Sequence, residues 1–188
     1  MLSLFDAQTL FAAINTRFSD FMDGLMYMAT YMGRVEVILP VLALLMLHRK
    51  YQNLWYFTTA LLCNIVPLFT QKLLKAFFDR PRPLYYFYHS GWLHFDTWWD
   101  QLFYKSFPSG HTEGAFSFFC FLSLLLPNKY RWFGFVFFIL AFMVGYSRVY
   151  LAAHFFADIY FGSIVGCTLT LLIYTTMLRF RQQLGMND

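Results

Sequence analysis

The chain has 188 residues, of which 59% are hydrophobic and only 13% are charged, about half the charged fraction of an ordinary soluble domain. The length suits one domain, residues 1–188, and a soluble protein of this size could not bury so much apolar surface. The net charge of +4 is modest and the basic residues are scattered at the ends of apolar runs, which argues against nucleic-acid binding. The composition therefore predicts an integral membrane protein.

The first segment, residues 1–31, is predicted to lie in the membrane interface as amphipathic helices. Apolar residues recur there at helical spacing: Phe11, Ile14, Phe18, Met22 and Leu25. Arg17, Asp20 and Asp23 interrupt any continuous apolar run of the length that a crossing needs. No basic region followed by an apolar core and a cleavage site opens the chain, so we expect no removable signal peptide.

Five apolar runs follow, and each is predicted to cross the bilayer as a helix. They are residues 32–47, 53–74, 113–126, 132–148 and 155–178. The predicted fold class is therefore all-α, a polytopic transmembrane helix bundle of five to six spans with residues 32–178 as its membrane core. A sixth crossing would require residues 11–31 to enter the bilayer.

The long connection at residues 84–107 is rich in aromatic residues, among them Trp92, Trp98 and Trp99. Such residues anchor at headgroup level, which predicts an extracytoplasmic loop acting as a lid or an anchor. If there are five spans, one side collects the following basic residues: Arg49, Lys50, Lys129, Arg131, Arg179 and Arg181. The positive-inside rule predicts that this side is cytoplasmic, with the N-terminus outside and the C-terminus inside.

Three polar blocks fall at the ends of spans on the opposite, outer side. They are KAFFDRPRP at 75–83, PSGH at 108–111 and SRVYLAAHFFAD at 147–158. Charges are costly near a bilayer unless they face a polar cavity. Their convergence on one face is what an active site requires.

Each block also has a simpler interpretation. Lys75, Arg82 and Arg148 could be anchors whose long side chains reach toward lipid headgroups. Ser109 and Gly110 could merely begin a helix, although a helix N-terminus is also an anion site. His111, just inside that helix, could be a packed or interfacial histidine.

His154 and Asp158 stand four residues apart, which places both on one face of a helix. A carboxylate bound to one imidazole nitrogen fixes the tautomer and makes the other nitrogen a better nucleophile or base. The alternative is a structural polar pair that satisfies itself inside the bundle.

Together, the blocks favour phosphoryl transfer. Five residues supply donors for phosphate oxygens: Lys75, Arg82, Ser109, Gly110 and Arg148. His111 and His154 supply an attacking group and a proton donor for the departing oxygen. No acidic cluster suited to Mg²⁺ lies near the blocks, and the three cysteines show neither disulfide nor metal spacing. This inventory favours a reaction through a phosphohistidine without metal or cofactor.

The patterns K-x6-RP, PSGH and SR-x5-H-x3-D occur in the order of a family signature. They resemble the three motifs of the type 2 phosphatidic acid phosphatase family, in its membrane lipid phosphatase branch. The resemblance implies that His154 attacks phosphorus, supported by Asp158, and that His111 protonates the leaving group. It also implies a phosphate cradle: Lys75, Arg82, Ser109, Gly110 and Arg148. Membrane members of the family carry a six-helix core and cut lipid phosphates on the extracytoplasmic side.

The expected function is a lipid phosphate or diphosphate phosphatase, located in a bacterial inner membrane. A compact protein suits a single-tailed substrate, and this slightly favours undecaprenyl diphosphate. Phosphatidylglycerol phosphate, phosphatidic acid and lipid A phosphates stay open as substrates. A lipid-phosphate transporter or binder is the non-enzymatic alternative, but it would not need the set formed by His111, His154 and Asp158.

Overall fold

The described part of the chain folds entirely into helices. The computed structural model describes residues 7–95 and 102–183, and every regular element in these ranges is helical. The α-helices are α1 (Ala7–Asn15), α2 (Asp20–Tyr31), α3 (Val35–Met46), α4 (Leu54–Phe78), α5 (Pro83–Phe87), α6 (Gly110–Leu125), α7 (Phe133–Tyr150) and α8 (Phe156–Gln183). Short 3-10 helices, Arg49–Tyr51 and Asn128–Tyr130, form turns before α4 and α7. The predicted all-α fold class is confirmed.

Three helices in the described ranges are long and apolar enough to cross a membrane. They are α4, which continues into α5 as Leu54–Phe87, together with α7 and α8. The pair α2 and α3 meets the same criterion only jointly, across a bend of 55°. α6 has 16 residues and packs against α4, α7 and α8. The helices coincide with the predicted spans, while the count of five to six crossings stays a prediction.

Local sequence sets both ends of α4 and the start of α5. The Asn53 side chain caps α4, because its oxygen accepts a hydrogen bond from the Tyr56 N–H at 3.0 Å. At the other end, Asp79 adopts the left-handed conformation (φ 36°) and stops the helix. Pro83 takes the first position of α5, where its missing N–H costs nothing. The first polar block thereby spans the end of α4 and the start of α5.

α6 packs closely against α8, and two glycines of α8 permit the approach. A Cβ atom on Gly162 would lie 2.8 Å from the carbonyl oxygen of Ser109. A Cβ atom on Gly166 would overlap the carbonyl oxygen of Glu113. Small residues spaced four apart allow such contacts between membrane helices. The start of α6 therefore lies beside the start of α8.

The two ends of the bundle differ in character. We call the end where α4 and α7 finish and α6 and α8 begin the site end, and the opposite end the far end. Toward the far end an apolar core forms around residues such as Trp55, Phe121 and Leu125. There the Trp55 indole N–H donates to the carbonyl of Met177 at 2.9 Å, and the Arg181 guanidinium lies 4.9 Å from the Trp55 ring centre.

The N-terminal helices α1 and α2 pack at the site end. The Asn15 side-chain amide donates to the carbonyls of Tyr150 and His94, at 2.8 Å and 2.7 Å. Asp23 accepts a hydrogen bond from the Tyr150 hydroxyl and lies 2.8 Å from Nε2 of His94. These bonds tie the predicted amphipathic segment to the end of α7. Residues 1–6 of that segment lie outside the described residues.

The predicted loop at residues 84–107 is partly helical, since it begins within α5. The Phe87 ring stacks on Phe11 of α1 with 5.6 Å between ring centres, and it lies 5.0 Å from the Trp92 ring. Phe87 and Trp92 therefore pack on Phe11 of α1. Trp98 and Trp99 lie outside the described residues, and the role of the loop as a lid or an anchor stays a prediction.

Candidate active site

The candidate residues predicted from the sequence lie together at the site end. They are Lys75, Arg82, Ser109, Gly110, His111, Arg148, His154 and Asp158. Lys75 interacts electrostatically with Arg148 and Asp158. His111 interacts with His154 in the same way. The three sequence blocks, which are far apart along the chain, therefore converge in the fold.

His154 and Asp158 do not share one helix, which corrects the sequence-based expectation. α7 ends at Tyr150 and α8 begins at Phe156, so that His154 lies in the link between them. The chain turns there because Ala152 adopts the left-handed conformation (φ 54°). The pair nevertheless meets: Nδ1 of His154 lies 3.7 Å from Oδ2 of Asp158, and both side chains are buried.

Hydrogen bonds fix the link that carries His154. The carbonyl oxygen of Arg148 accepts from the N–H groups of Ala153 and His154, at 3.0 Å and 3.1 Å. The Arg82 guanidinium donates to the carbonyl of Ala153 at 3.0 Å. Two of the predicted phosphate-binding residues therefore also determine where the imidazole stands.

The Asp158 carboxylate is fully buried and accepts hydrogen bonds on both oxygens. Oδ2 accepts from the Ser106 hydroxyl, and from the Phe155 N–H at 2.9 Å. Oδ1 accepts from the Arg80 guanidinium at 3.0 Å. These bonds, one of them an ion pair, hold the carboxylate beside His154.

Two of these partners, Arg80 and Ser106, were not among the residues predicted from the sequence. Arg80 stands two residues before Arg82, and Ser106 stands two residues before Pro108, so both lie inside or next to a polar block. The Ser106 hydroxyl also lies 3.4 Å from Nδ1 of His154, and it thus contacts both members of the pair. Residue type alone does not separate an arginine that binds a carboxylate from one that binds phosphate.

Burial sets the protonation state of His154, which lies in the link between α7 and α8. Burial lowers the pKa of the imidazole to about 3, and the positive charges of Arg82 and Arg148 act in the same direction. Asp158 acts in the opposite direction, but its effect is smaller than that of burial. At neutral pH the imidazole is therefore neutral and keeps a lone pair on one nitrogen.

Arg82 is nearly buried and holds the backbone around the site. Its guanidinium donates to the carbonyls of Tyr104, Ala153 and Lys105, at 2.8 Å, 3.0 Å and 3.3 Å. A guanidinium has five N–H donors, so donors remain for an anion. Arg82 joins the loop at residues 104–105 to the His154 link, and its remaining donors can still bind phosphate.

Arg148 is buried, and its Nη1 donates to the hydroxyl of Thr30 at 2.7 Å. Thr30 belongs to α2 and was not among the predicted site residues. The N-terminal segment, to which the sequence analysis assigned only an interfacial role, thus contributes a contact to the site.

The start of α6 supplies backbone donors. Ser109 occupies the N-cap position, where its hydroxyl accepts from that of Thr112 at 2.9 Å and its own N–H donates to the carbonyl of Asp158 at 3.1 Å. The first N–H groups of a helix have no acceptor within the helix. Those of Gly110 and His111 are therefore suited to an anion at this end.

No group of three or more His, Cys, Asp or Glu side chains suited to a metal ion occurs among residues 7–95 and 102–183. Cys63, Cys120 and Cys167 are free thiols on α4, α6 and α8.

Comparison with known proteins identifies the family. The family model of the PAP2 superfamily matches residues 53–182, a range that contains all three polar blocks and both candidate histidines. The chain belongs to the PAP2 superfamily. The resemblance seen in the sequence motifs is thereby confirmed.

Individual PAP2 relatives extend this finding. A lipid A 1-phosphatase of Rhizobium etli is 30% identical over 126 residues, which are 67% of this chain and 50% of the relative. The chain thus spans about half the length of that relative. The crystal structure of Aquifex aeolicus LpxE matches with a TM-score of 0.70 and 26% identity, over 88% of this chain and 93% of that one.

A second solved structure has the same fold. It is the first transmembrane PAP2 type phosphatidylglycerolphosphate phosphatase from Bacillus subtilis, with a TM-score of 0.68 and 21% identity, over 92% of this chain and 85% of that one. Together with the apolar helices, these likenesses identify the present chain as an integral membrane protein of the PAP2 superfamily.

Proposed function

We propose that this PAP2 protein is a lipid phosphate phosphatase that works without a metal ion, through a phosphohistidine intermediate. The observation that carries the proposal is the buried pair of His154 and Asp158, placed beside His111 and several cations. A lipid transporter or binder would need the cations but not a neutral imidazole backed by a carboxylate. The geometry therefore favours an enzyme over a binder.

In the first step Nε2 of His154 attacks phosphorus, and the bond from phosphorus to the leaving oxygen breaks. Asp158, 3.7 Å from Nδ1, stabilises the positive charge that the imidazole gains. His111, which takes up a proton as the anionic phosphate binds beside it, donates that proton to the departing oxygen. The lipid leaves as an alcohol, or as a monophosphate when the substrate is a diphosphate.

In the second step water attacks the phosphohistidine. His111, now neutral, accepts a proton from that water, and the bond from nitrogen to phosphorus breaks. Inorganic phosphate leaves, and His154 returns to its neutral form.

The negative charge on the phosphate oxygens has donors on several sides. Lys75 and Arg148 supply positive charge, and Arg82 keeps donors that its backbone bonds do not use. Backbone N–H groups at Gly110 and His111, at the start of α6, add the donors of a helix N-terminus. Fixed donors around the transferring group are what phosphoryl transfer requires.

Trapping of the intermediate tests the mechanism. Wild-type protein mixed with a lipid phosphate carrying radioactive phosphorus, then quenched, should retain label that is stable in alkali and lost in acid, as phosphohistidine is. His154→Ala should retain none, whereas His89→Ala, which alters an exposed histidine, should label as the wild type does. Turnover should persist in EDTA and be inhibited by vanadate. Strict dependence on Mg²⁺ would contradict the metal-free mechanism.

The substrate class has two leading candidates. The small size of the chain slightly favours undecaprenyl diphosphate, a single-tailed substrate. The name of the Rhizobium etli relative favours a lipid A phosphate instead. Phosphate release from a panel of polyprenyl diphosphate, lipid A, phosphatidylglycerol phosphate and phosphatidic acid, measured in one detergent, ranks them. Release from none of the four would contradict the proposed function.

We further propose that the site faces the outside of a bacterial inner membrane and that the chain crosses five times. The far end carries the basic residues that the positive-inside rule assigns to the cytoplasm. The contacts of Asn15 with Tyr150 and of Thr30 with Arg148 keep α1 and α2 at the site end. Five crossings account for both observations.

Labelling of single cysteines with an impermeant reagent on spheroplasts tests this topology. The background protein would have its three native cysteines replaced: Cys63, Cys120 and Cys167. We expect labelling at Gln8→Cys and His89→Cys, and protection at Asn128→Cys. Protection of position 8 would favour six crossings, and labelling of position 128 would reverse the orientation.

A further inference from the structure

A small cavity lies between α3, α4 and α6, next to the site end. Its volume is about 100 Å³, which is room for a few heavy atoms but not for an acyl chain. Glycines leave bare backbone on part of its wall, and aliphatic side chains form most of the rest. The residues that shape it most are Gly33, Ile38, Leu68, Gly110 and Gly114.

Three polar side chains line this cavity: Asn64, Gln71 and Glu113. Glu113 is 1% exposed, and within the described residues neither of its carboxylate oxygens has a hydrogen-bond partner. It stands at the fourth position of α6, one residue too far from Ser109 to form a capping box. A buried acceptor without a donor destabilises a fold, so this carboxylate is suited to a donor supplied by a ligand.

The cavity adjoins the reaction site. Gln71 lies one helical turn before Lys75 on α4, and Gly110 directly precedes His111 on α6. A Cβ atom on Gly110 would approach the Gln71 amide to 2.9 Å, so the cavity wall reaches the backbone of the PSGH block. Atoms that stand a few bonds from a bound phosphate are therefore within reach of Glu113.

Lys75 lies where the cavity meets the reaction site, and its positive charge balances the acidic groups there. Its ammonium group interacts electrostatically with both Glu113 and Asp158. Lys75 therefore attracts both Glu113 and a phosphate that binds near it, which offsets repulsion between the two acidic groups. Glu113 is thus compatible with an anionic substrate.

We propose that the cavity is a linker pocket, in which Glu113 accepts a hydrogen bond from an amide N–H or a hydroxyl group of the substrate lipid close to the scissile phosphate. This inference rests on the proposed phosphatase activity and names the class of lipid that the site selects. An ester linker offers only acceptors, and a polyprenyl chain offers neither donor nor acceptor, so both leave the carboxylate unsatisfied. Glu113 is a specificity-determining residue.

Two lipid phosphates with oleoyl chains separate the possibilities. N-oleoyl ceramide 1-phosphate carries an amide N–H and a hydroxyl near its phosphate, whereas dioleoyl phosphatidic acid carries esters. Phosphate release from mixed micelles by the full-length protein gives kcat/KM for each. We expect the wild type to prefer the amide lipid by about tenfold or more, because a buried acceptor that is left without a donor costs about that much in binding.

The preference ratio, rather than either rate, is the quantity compared between variants. Glu113→Leu should reduce the ratio to under about threefold, because the acceptor is lost. Glu113→Gln keeps an uncharged acceptor and nearly the same volume, so it should give an intermediate ratio and serves if the leucine variant does not fold. Glu36→Gln changes an exposed carboxylate of α3 that pairs with Arg34, and it should keep the wild-type ratio.

The experiment distinguishes failure of the linker pocket from failure of the proposed phosphatase activity. A wild-type ratio near one, or a ratio that neither Glu113 variant changes, overturns the linker pocket while the phosphatase activity stands. Phosphate release from neither lipid, nor from the four lipids of the substrate panel, overturns the proposed function itself.

Discussion

The site end and the far end of the bundle are built from different interactions. At the site end buried polar groups contact one another: Asp158 accepts from Ser106 and Arg80, and Arg82 donates to three carbonyls. At the far end large apolar and aromatic side chains pack around Trp55 and Phe121. Buried polar groups are costly unless each finds a partner, whereas apolar packing tolerates small changes in shape.

The two ends therefore have different roles: the far end stabilises the bundle, and the site end positions charged groups. The four helices that carry the site are held together by packing over most of their length, so that their ends can hold charges in fixed positions. Substitutions at the site end should therefore change the reaction far more than the fold. Substitutions at the far end should do the reverse.

The largest effect on turnover in this comparison is expected from Asp158→Asn. The amide cannot stabilise the charge that His154 gains, and its N–H₂ group opposes the donors from Ser106 and Phe155. Loss of an orienting carboxylate costs about 10⁴-fold in the serine-protease triad, and we expect a loss of the same order here. Initial rates of phosphate release measure it. A loss under about tenfold would remove the supporting role while leaving His154 as the nucleophile.

His111→Ala should have the next largest effect, and its size should depend on the substrate. Loss of a general acid costs about 10²- to 10⁴-fold when the leaving group is a poor one, such as a lipid alcohol. A nitrophenyl phosphate, whose leaving group needs no proton, should lose much less. Equal losses for both substrates would contradict the assignment of His111 as the acid.

Ser106→Ala should cause a smaller loss of rate than either of these substitutions. It removes one hydrogen bond to the Asp158 carboxylate, and the bonds from Arg80 and Phe155 remain. One bond to a charged group corresponds to a loss of about tenfold in rate. Ser163→Ala is the matched control, since that hydroxyl donates within α8 to the carbonyl of Tyr160. A rate within twofold of that control would show that Ser106 is dispensable.

Phe121→Ala, toward the far end, should have the smallest effect on turnover and a large effect on stability. The side chain is fully buried, and its truncation leaves a cavity that costs on the order of 3 kcal/mol. Thermal unfolding in detergent should shift downward by several degrees. The rate per folded molecule should stay within about twofold, because packing changes there do not reach the site. A large loss of rate would mean that the two ends are coupled.

Much of the fold follows from the sequence for simple physical reasons. Long uncharged runs in a membrane must be helical, because their backbone groups have no other partners. The polar blocks then fall at helix ends by position alone. The helix break after Tyr150 was missed because Ala152 and Ala153 are good helix formers, and no glycine or proline marks the left-handed turn at Ala152.

The partners around the site were less accessible to sequence reasoning. Thr30 and Ser106 reach Arg148 and Asp158 across long stretches of chain, and nothing local in their sequence marks these contacts. Glu113 was assigned only to a span, since its burial against α3 and α4 appears only after the helices pack. Spacing identifies residues within one block, whereas contacts between blocks depend on the whole bundle.

The position of Asp158 on α8 has a consequence for biogenesis. During synthesis the segment from α4 to α7, which carries Lys75, Arg82 and Arg148, leaves the ribosome before Asp158 has been made. Until α8 inserts, Arg80 lacks its carboxylate partner. Arg148 can already bond to Thr30 of α2, and Arg82 to the carbonyls of Tyr104 and Lys105. On the proposed mechanism, hydrolysis can therefore begin only when the last helix has docked beside the others.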